Sequence, residues 1–259
     1  MPDHLVVNEI YLSLQGESTF AGLPCIFVRL TACNLRCSYC DTAYAFAEGK
    51  KMTLDAVADH VDRLAASFPE RSLAPGPFRL PLVELTGGEP LLQKSSLPLM
   101  RRLCDRGYTV LLETSGALDI SAVDSRVRRI MDLKCPSSGE SDRNCWQNIQ
   151  HLTAADEVKF VIGTQEDYDW AKGQIAEHRL DSRCALLVSW VHPVGLRCAQ
   201  PDALSAPLPQ QHESLKKIPA GQKPLSRREL AERIIADALP VRFQVQMHKI
   251  IWPAEQRGV

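Results

Sequence analysis

Short apolar runs rich in β-forming residues recur at 25–30, 82–86, 109–113, 130–133, 158–162, 184–189 and 241–246, and the gaps between them leave room for helices. Near-continuous apolar runs of this length are expected of parallel strands covered by helices. Periodic segments fill the gaps. Residues 53–66 open with Thr53 as a cap and carry Leu54, Val57, Val61 and Leu64 on one face. Residues 97–105 stop before Gly107, which can take the left-handed conformation that closes a helix. A further helix starts at Ser226 with Glu229 in capping-box position, and turns Leu230, Ile234 and Ala238 toward the core. Strand and helix alternate, so the class is α/β. Crossovers between parallel strands are right-handed in nearly all cases, and such units curl into a barrel or a doubly wound sheet. In both, ligands gather at the carboxyl ends of strands. The distinctive residues fall there: CNLRCSYC after the first run, Gly87-Gly88-Glu89-Pro90 after the second and Thr114-Ser115-Gly116 after the third.

At 259 residues the chain is expected to form one domain, 1–259, interrupted by a proline-rich loop insertion at 190–225 with Pro193, Pro201, Pro207, Pro209, Pro219 and Pro224. A net charge of −1, without long basic runs, gives no electrostatic footprint for nucleic acid or for an anionic membrane. The start MPDHLVVNEI lacks a charged region followed by a long apolar run, and no stretch approaches the ~18 apolar residues of a membrane span. Nine cysteines in such a chain point to a reducing, cytoplasmic setting rather than to disulfides. Cys104, Cys135, Cys145, Cys184 and Cys198 are scattered and read as ordinary thiols.

Cys33, Cys37 and Cys40 stand as Cys-x3-Cys-x2-Cys on one short loop. Three thiolates there can hold three irons of a 4Fe-4S cluster and leave the fourth iron without a protein ligand. Ferredoxin-type clusters are closed by four cysteines, so an open corner suggests that a cofactor binds it, here S-adenosylmethionine (SAM). A zinc-stabilised binding module is the alternative from a different class, with Cys25 completing a tetrahedron. It fits less well: zinc ligands commonly come as two close pairs, and Cys25 sits inside an apolar strand, where a cysteine behaves as a small hydrophobe. In Thr86-Gly87-Gly88-Glu89-Pro90 two glycines let the backbone approach a ligand and expose its N–H and C=O groups. A methionine ammonium would find acceptors in carbonyls and in Glu89, and its carboxylate would find N–H donors. Alone this is a strand-to-helix turn; beside the cysteines it reads as a cofactor site.

CNLRCSYC with TGGEP resembles the radical SAM superfamily. Further markers resemble one family within it, the 7-carboxy-7-deazaguanine synthases: Asn8-Glu9-Ile10-Tyr11, Ser13-Leu14-Gln15-Gly16-Glu17-Ser18, Gly22-Leu23-Pro24, Phe27-Val28-Arg29-Leu30, Cys40-Asp41-Thr42, Glu113-Thr114-Ser115-Gly116 and Gln246-Met247-His248-Lys249. They span nearly the whole chain. The resemblance implies an incomplete, modified (β/α) TIM-like barrel of the radical SAM type, paired as a homodimer. It implies a carbon-nitrogen lyase that contracts the ring of 6-carboxy-5,6,7,8-tetrahydropterin to 7-carboxy-7-deazaguanine with release of ammonia, a step toward queuosine and other deazapurines. The implied cofactors are a 4Fe-4S cluster, SAM and Mg2+; the implied electron donor is of flavodoxin or ferredoxin type. In the family, a 5′-deoxyadenosyl radical takes hydrogen from the substrate.

Carried onto this chain, the resemblance makes Cys33, Cys37 and Cys40 the cluster ligands. Tyr39, Cys40 and Asp41 lie near SAM, with Tyr39 offering a face for adenine, and Gly87, Gly88 and Glu89 hold its methionine part. Thr114 and Ser115 supply hydroxyls to the cofactor, or else cap a helix. Arg29 interrupts an apolar strand, and a buried guanidinium needs an anionic partner: the substrate carboxylate, or internally Glu17 or Glu113. Leu14, Gln15 and Gly16 meet the pterin edge, Glu17 accepts from its ring N–H groups, and Thr86 and His248 complete the substrate set. Thr42 gives its hydroxyl to Mg2+. Where many relatives carry Ser-Pro-Lys, this chain reads Asp132-Leu133-Lys134-Cys135-Pro136-Ser137-Ser138, leaving Pro136 and Ser137 to meet SAM. A second enzymatic reading is a radical activase that generates a glycyl radical on a partner enzyme. It shares the cysteines and the GGEP turn, but nothing obliges it to carry Arg29 or the Leu14-Gln15-Gly16-Glu17 run.

Overall fold

The apolar runs become strands of one nine-stranded sheet. The computed structural model describes residues 3–69, 72–73, 78–191, 212–253 and 256–259. Its strands are β1 (His4–Leu14), β2 (Pro24–Leu30), β3 (Lys50–Thr53), β4 (Ser72–Leu73), β5 (Phe78–Arg79), β6 (Leu82–Gly87), β7 (Val110–Thr114), β8 (Arg128–Leu133), β9 (Glu157–Ile162), β10 (Ala185–Trp190) and β11 (Arg242–Gln244). Its α-helices are α1 (Leu54–Ala65), α2 (Ser96–Asp105), α3 (Gln165–His178), α4 (Arg227–Ala236) and α5 (His248–Ile251).

Strand order across the main sheet is β11-β10-β9-β8-β7-β6-β2-β1-β3. From β2 to β11 every pairing is parallel, and from β6 onward each new strand is added beside the one before it. A doubly wound sheet has helices on both faces and reverses its order at a switch point; here Val57, Leu99, Tyr168 and Leu230 of α1 to α4 pack into one core on one face. Antiparallel β1 and β3 extend one edge, β11 forms the other, and no pairing joins the two edges among the described residues. The architecture is therefore an open, incomplete (β/α) barrel, which decides between the two arrangements the sequence pattern allows.

Alternation along the strands divides the core in two. Ile26, Val28 and Leu30 of β2, Val83 and Leu85 of β6 and Val158, Phe160 and Ile162 of β9 pack outward against Val57 and Val61 of α1, Leu99 and Leu103 of α2 and Tyr168 of α3. Cys25, Phe27, Leu82, Leu111 and Ile130 point the other way and form, with Phe20, a smaller core at the amino ends of the strands. Tyr11 stacks on Phe27 with centroids 5.1 Å apart. On the same inner faces, nearer the carboxyl ends, come Arg29, Glu84, Thr86, Glu113, Asp132 and Lys159. An apolar floor thus gives way to a charged rim.

Local signals place the helices. Thr53 caps α1 by accepting from Ala56 N at 3.1 Å, Gly107 follows α2 with φ of 80°, and Ser226 with Glu229 forms the capping box of α4. Leu230 is buried and Ile234 packs on the core, but Ala238 does not: α4 ends at Ala236, and Ala238 is exposed with φ of 48°. β1 and α3 lie outside the expected pattern. β1 is only partly buried and its register shifts between Val7 and Glu9. α3 buries Tyr168, Ala171 and Ile175 and starts at a Thr164–Asp167 capping box. Of the proline-rich stretch, 192–211 lie outside the described residues; its end is held by Leu225 N donating to Gly163 O (3.0 Å) and Trp190 Nε1 donating to Leu225 O (2.7 Å). No helix among the described residues is long and apolar enough to cross a membrane.

Phe27→Ala empties the floor of the interior beneath Tyr11. It should lower the unfolding free energy by about 3–5 kcal/mol in urea denaturation, whereas a loss below ~1 kcal/mol would mean that the interior is not packed.

Candidate functional site

The loop with Cys33, Cys37 and Cys40 leaves the carboxyl end of β2, and its root is fastened to the turn after β6. Gly88 N donates to Leu30 O at 3.0 Å and Glu89 N to Ala32 O at 2.8 Å. Gly87 has φ of 130°, and a Cβ on Gly87 or Gly88 would run into the backbone of Leu30 or Ala32. The glycines are therefore required for loop to meet loop; approach to a ligand is not what fixes them. The other side of the loop rests on the turn after β8, where Ser38 N donates to Ser138 O (3.0 Å), Ser38 Oγ to Ser137 O (2.6 Å) and Arg36 N to Glu140 Oε1 (2.7 Å). Lys216 lies across it, its N donating to Arg36 O at 2.8 Å and its Nζ reaching Glu140 Oε2 at 3.0 Å.

Burial raises all three thiols, Cys37 to about 11 and Cys40 to about 12. Thiolates form in such a place when a metal takes up their charge. Zinc needs its ligands gathered around one ion, and no three Cys, His, Asp or Glu side chains are so gathered among the described residues. Cys25 is fully buried in β2. A cubane spreads its thiolates over separate irons, so a single loop bearing three cysteines fits it. The same loop also holds two buried polar atoms without partners among the described residues, the Tyr39 hydroxyl and Asn34 Oδ1, as expected beside a polar cofactor.

The other side chains expected at SAM are largely turned toward one another. Glu89 is fully buried; its carboxylate accepts from Thr114 Oγ1 (2.9 and 3.0 Å), Ser115 N (2.8 Å), Ser115 Oγ (2.6 Å) and Leu91 N (3.0 Å). It ties the turn after β6 to the end of β7. Pro136 opens a short 3-10 turn, and Ser137 gives its N (2.7 Å) and Oγ (2.6 Å) to Asp167 of α3. Thr42 Oγ1 donates to Asp41 Oδ1 at 2.8 Å, and Asp41 Oδ2 pairs with Lys249 Nζ at 2.5 Å. The Thr42 hydroxyl keeps its lone pairs beside a carboxylate, a donor set that suits a hard cation.

The charged rim of the barrel gathers the expected substrate residues. Arg29 pairs with neither Glu17 nor Glu113: its Nε bonds Glu9 Oε1 at 2.7 Å and its Nη2 donates to the Tyr11 hydroxyl at 2.8 Å. Glu9 stands directly across from Arg29 in the β1–β2 register, and Tyr44 donates to the same oxygen at 2.9 Å. Leu14 ends β1, and beyond it Gln15 N bonds Leu23 O at 2.8 Å. Gln15 Nε2 donates to Glu84 Oε2 at 2.6 Å, and Glu17 Oε2 meets Lys159 Nζ at 2.6 Å. Thr86 Oγ1 donates to Glu113 Oε2 at 3.1 Å. Lys159 holds Glu113 down at about 2 against the opposing pull of burial. Gly16 O accepts from Met247 N at 3.0 Å, and a Cβ on Gly16 would sit 2.7 Å from His248 Nδ1. The Leu14–Glu17 and Gln246–Lys249 markers, far apart in sequence, are thus packed together, with burial lowering the His248 pKa. Glu9, Glu84, Asp132 and Lys159 were not among the expected site residues. Glu84, Asp132 and Lys159 carry the signal that marks Arg29, a charge interrupting an apolar strand.

Comparison with known proteins places the chain in a family. The Radical SAM superfamily model matches residues 28–138. The chain is 39% identical over 259 residues to the 7-carboxy-7-deazaguanine synthase of Koribacter versatilis, covering 98% of this chain and 99% of that protein. It is 40% identical over 258 residues to the enzyme of that name from Chlorobaculum tepidum, covering 98% and 97%. Among solved structures it resembles QueE from Escherichia coli, with a TM-score of 0.64, 19% identity and 95% of each chain covered. It also resembles Streptococcus suis SuiB, with a TM-score of 0.52, 14% identity and 83% of this chain and 47% of that one covered. At these identities the structural likeness is one of fold.

Two outcomes follow from the geometry. Gly88→Ala should displace the cysteine loop and sharply reduce the iron bound after anaerobic reconstitution; iron content equal to wild type would contradict the loop contact. Burial, then the charge of Glu113, pushes the Glu84 carboxyl well above its usual range. A carboxyl raised by folding costs stability once pH climbs above its unfolded value of about 4.3. Glu84→Gln should therefore melt higher than wild type at neutral pH, with the gap closing toward about pH 4 in a melting series.

Proposed function

The chain belongs to the 7-carboxy-7-deazaguanine synthase family of the radical SAM superfamily, and from that premise we propose how its own residues serve the reaction. The reaction is the ring contraction of 6-carboxy-5,6,7,8-tetrahydropterin to 7-carboxy-7-deazaguanine with release of ammonia, in queuosine biosynthesis. The observation that carries this assignment is 40% identity to a synthase over 98% of the chain. A glycyl-radical activase and a zinc module are set aside by it.

When bound, the reduced 4Fe-4S cluster supplies the electron that cleaves SAM. Cys33, Cys37 and Cys40 hold the cluster at the mouth of the barrel. Tyr39 and Asp41 flank the cofactor, with Cys40 between them. Gly87 and Gly88 present the carbonyl groups of their turn to the ammonium of its methionine part, and Glu89, Thr114 and Ser115 act by keeping that turn in place. Pro136 and Ser137 support the cysteine loop through the Ser38–Ser137 hydrogen bond and border the cofactor. Arg29, steadied by Glu9 and Tyr11, offers Nη1 to the substrate carboxylate. Glu17 accepts from the N–H groups of the pterin edge, and Leu14, Gln15 and Gly16 line that edge. Thr86 and the neutral ring of His248 close the pocket. Thr42 holds Mg2+, which neutralises charge at the substrate carboxylate.

A small-molecule substrate and an electron donor come with the family. We further propose that the donor is a flavodoxin or ferredoxin, that the chain acts as a cytoplasmic homodimer, and that 1–259 form one domain with a loop insertion at 190–225. The continuous main sheet, whose strands run from His4 to Gln244, supports the single domain.

The direct test is anaerobic incubation with SAM, reductant, Mg2+ and the carboxytetrahydropterin, followed by mass spectrometry. Ammonia loss and the deazaguanine product are expected; a cluster-loaded protein that cleaves SAM yet leaves the pterin intact would overturn the assignment. Thr42→Ala should reduce turnover while leaving the cluster absorption unchanged. Full activity of wild type in metal-free buffer would rule out the magnesium role.

A further inference from the structure

Lys159 sits in the middle of β9 between Val158 and Phe160, which pack on the helices, so its own side chain enters the barrel. That side chain is 5% exposed, and its Nζ bonds Glu17 Oε2 at 2.6 Å and Glu113 Oε1, with Asp132 Oδ2 3.7 Å away. The carboxylates come from the loop after β1, from β7 and from β8, so one ammonium joins three parts of the rim. Lys134 pairs with the same Asp132 oxygen at 2.9 Å. Even with two ammonium groups the cluster carries more acceptors than it can satisfy: Glu17 Oε1 and Asp132 Oδ1 are buried without a partner among the described residues. A buried acceptor left unpaired is costly, which marks these oxygens as places for donors that arrive with a ligand.

Resting on the function proposed above, we infer that Lys159 is a positioning residue for the pterin: it occupies Glu17 Oε2 so that Oε1 alone is presented to the adjacent N–H donors of the aminopyrimidinone ring. Lys159 does not touch the reacting carbon and acts through Glu17. A direct consequence is selectivity. A ring edge that offers an acceptor at this point meets Oε1 with no proton between them, and a site built for a donor rejects such an analogue strongly.

The test is anaerobic titration calorimetry of the cluster-loaded protein without reductant, using the carboxytetrahydropterin and, separately, SAM. Lys159→Met should weaken pterin binding by roughly ten-fold or more, as when an orienting partner of a binding group is removed, with SAM affinity held within about two-fold. Lys159→Arg, which restores a cation, should recover most of the pterin affinity. If Lys159→Met does not fold, the pair Lys159→Met with Glu113→Gln, which removes a carboxylate along with the cation, replaces it. A folded variant that binds pterin like wild type overturns the inference. Equal weakening of both ligands also overturns it, because that is what a merely structural residue would produce. Wild type failing to bind the pterin would instead overturn the function on which the inference rests, so the two failures are distinguishable.

Discussion

Backbone meets backbone where the cysteine loop passes the turn after β6, and the site depends on that contact. Gly87 and Gly88 lack the side chains that would hold the two segments apart, and the amides of Gly88 and Glu89 bond the carbonyls of Leu30 and Ala32. Glu89 then anchors the same turn to Thr114 and Ser115 at the end of β7. Three neighbouring strand ends are fixed relative to one another by these contacts alone. This is the preorganisation that lets a cluster and a sulfonium compound be held side by side.

Below the loop, the barrel interior changes from apolar to charged along each strand. Phe27, Leu82, Leu111 and Ile130 fill the floor, and Arg29, Glu84, Glu113, Asp132 and Lys159 form the rim. The rim is not there for stability. Two charges 4 Å apart gain about 4 kcal/mol at an effective dielectric of 20, whereas removing each ion from water costs several kcal/mol. Glu84 beside Gln15, and the oxygens of Glu17 and Asp132 without partners among the described residues, are a standing expense of the folded chain. On the function proposed above, the layer is explained by what it would bind: a small bicyclic molecule with a carboxylate at one end and a donor-rich ring at the other.

Much of this was legible in the sequence where a residue's environment is set locally. The parallel strands show as apolar runs because both faces are buried, and Thr53, Gly107 and Ser226 mark helix ends by their own chemistry. β1 was not legible: it is partly exposed and interrupted by a register shift. Missing it hid the partner of Arg29, since Glu9 meets Arg29 only through the antiparallel pairing of β1 with β2. α3 shows few apolar positions, Tyr168, Ala171 and Ile175, among charges. The cysteine triad and the GGEP turn could be read as a site, yet the reason for the glycines lies in a contact between loops nearly sixty residues apart, Gly88 against Leu30 and Glu89 against Ala32, which no local rule predicts. Glu84, Asp132 and Lys159 could have been found by extending to every strand the argument that singled out Arg29.

Cys33, Cys37 and Cys40 are proposed to leave one iron of the cluster free for SAM. Electron paramagnetic resonance of the anaerobically reduced protein, recorded before and after addition of SAM, tests this most directly. A 4Fe-4S signal whose g-values and line shape change when SAM binds is expected, because the cofactor's own atoms would then coordinate the open iron. A spectrum indifferent to saturating SAM, in a protein shown by calorimetry to bind it, would mean that no iron is left open.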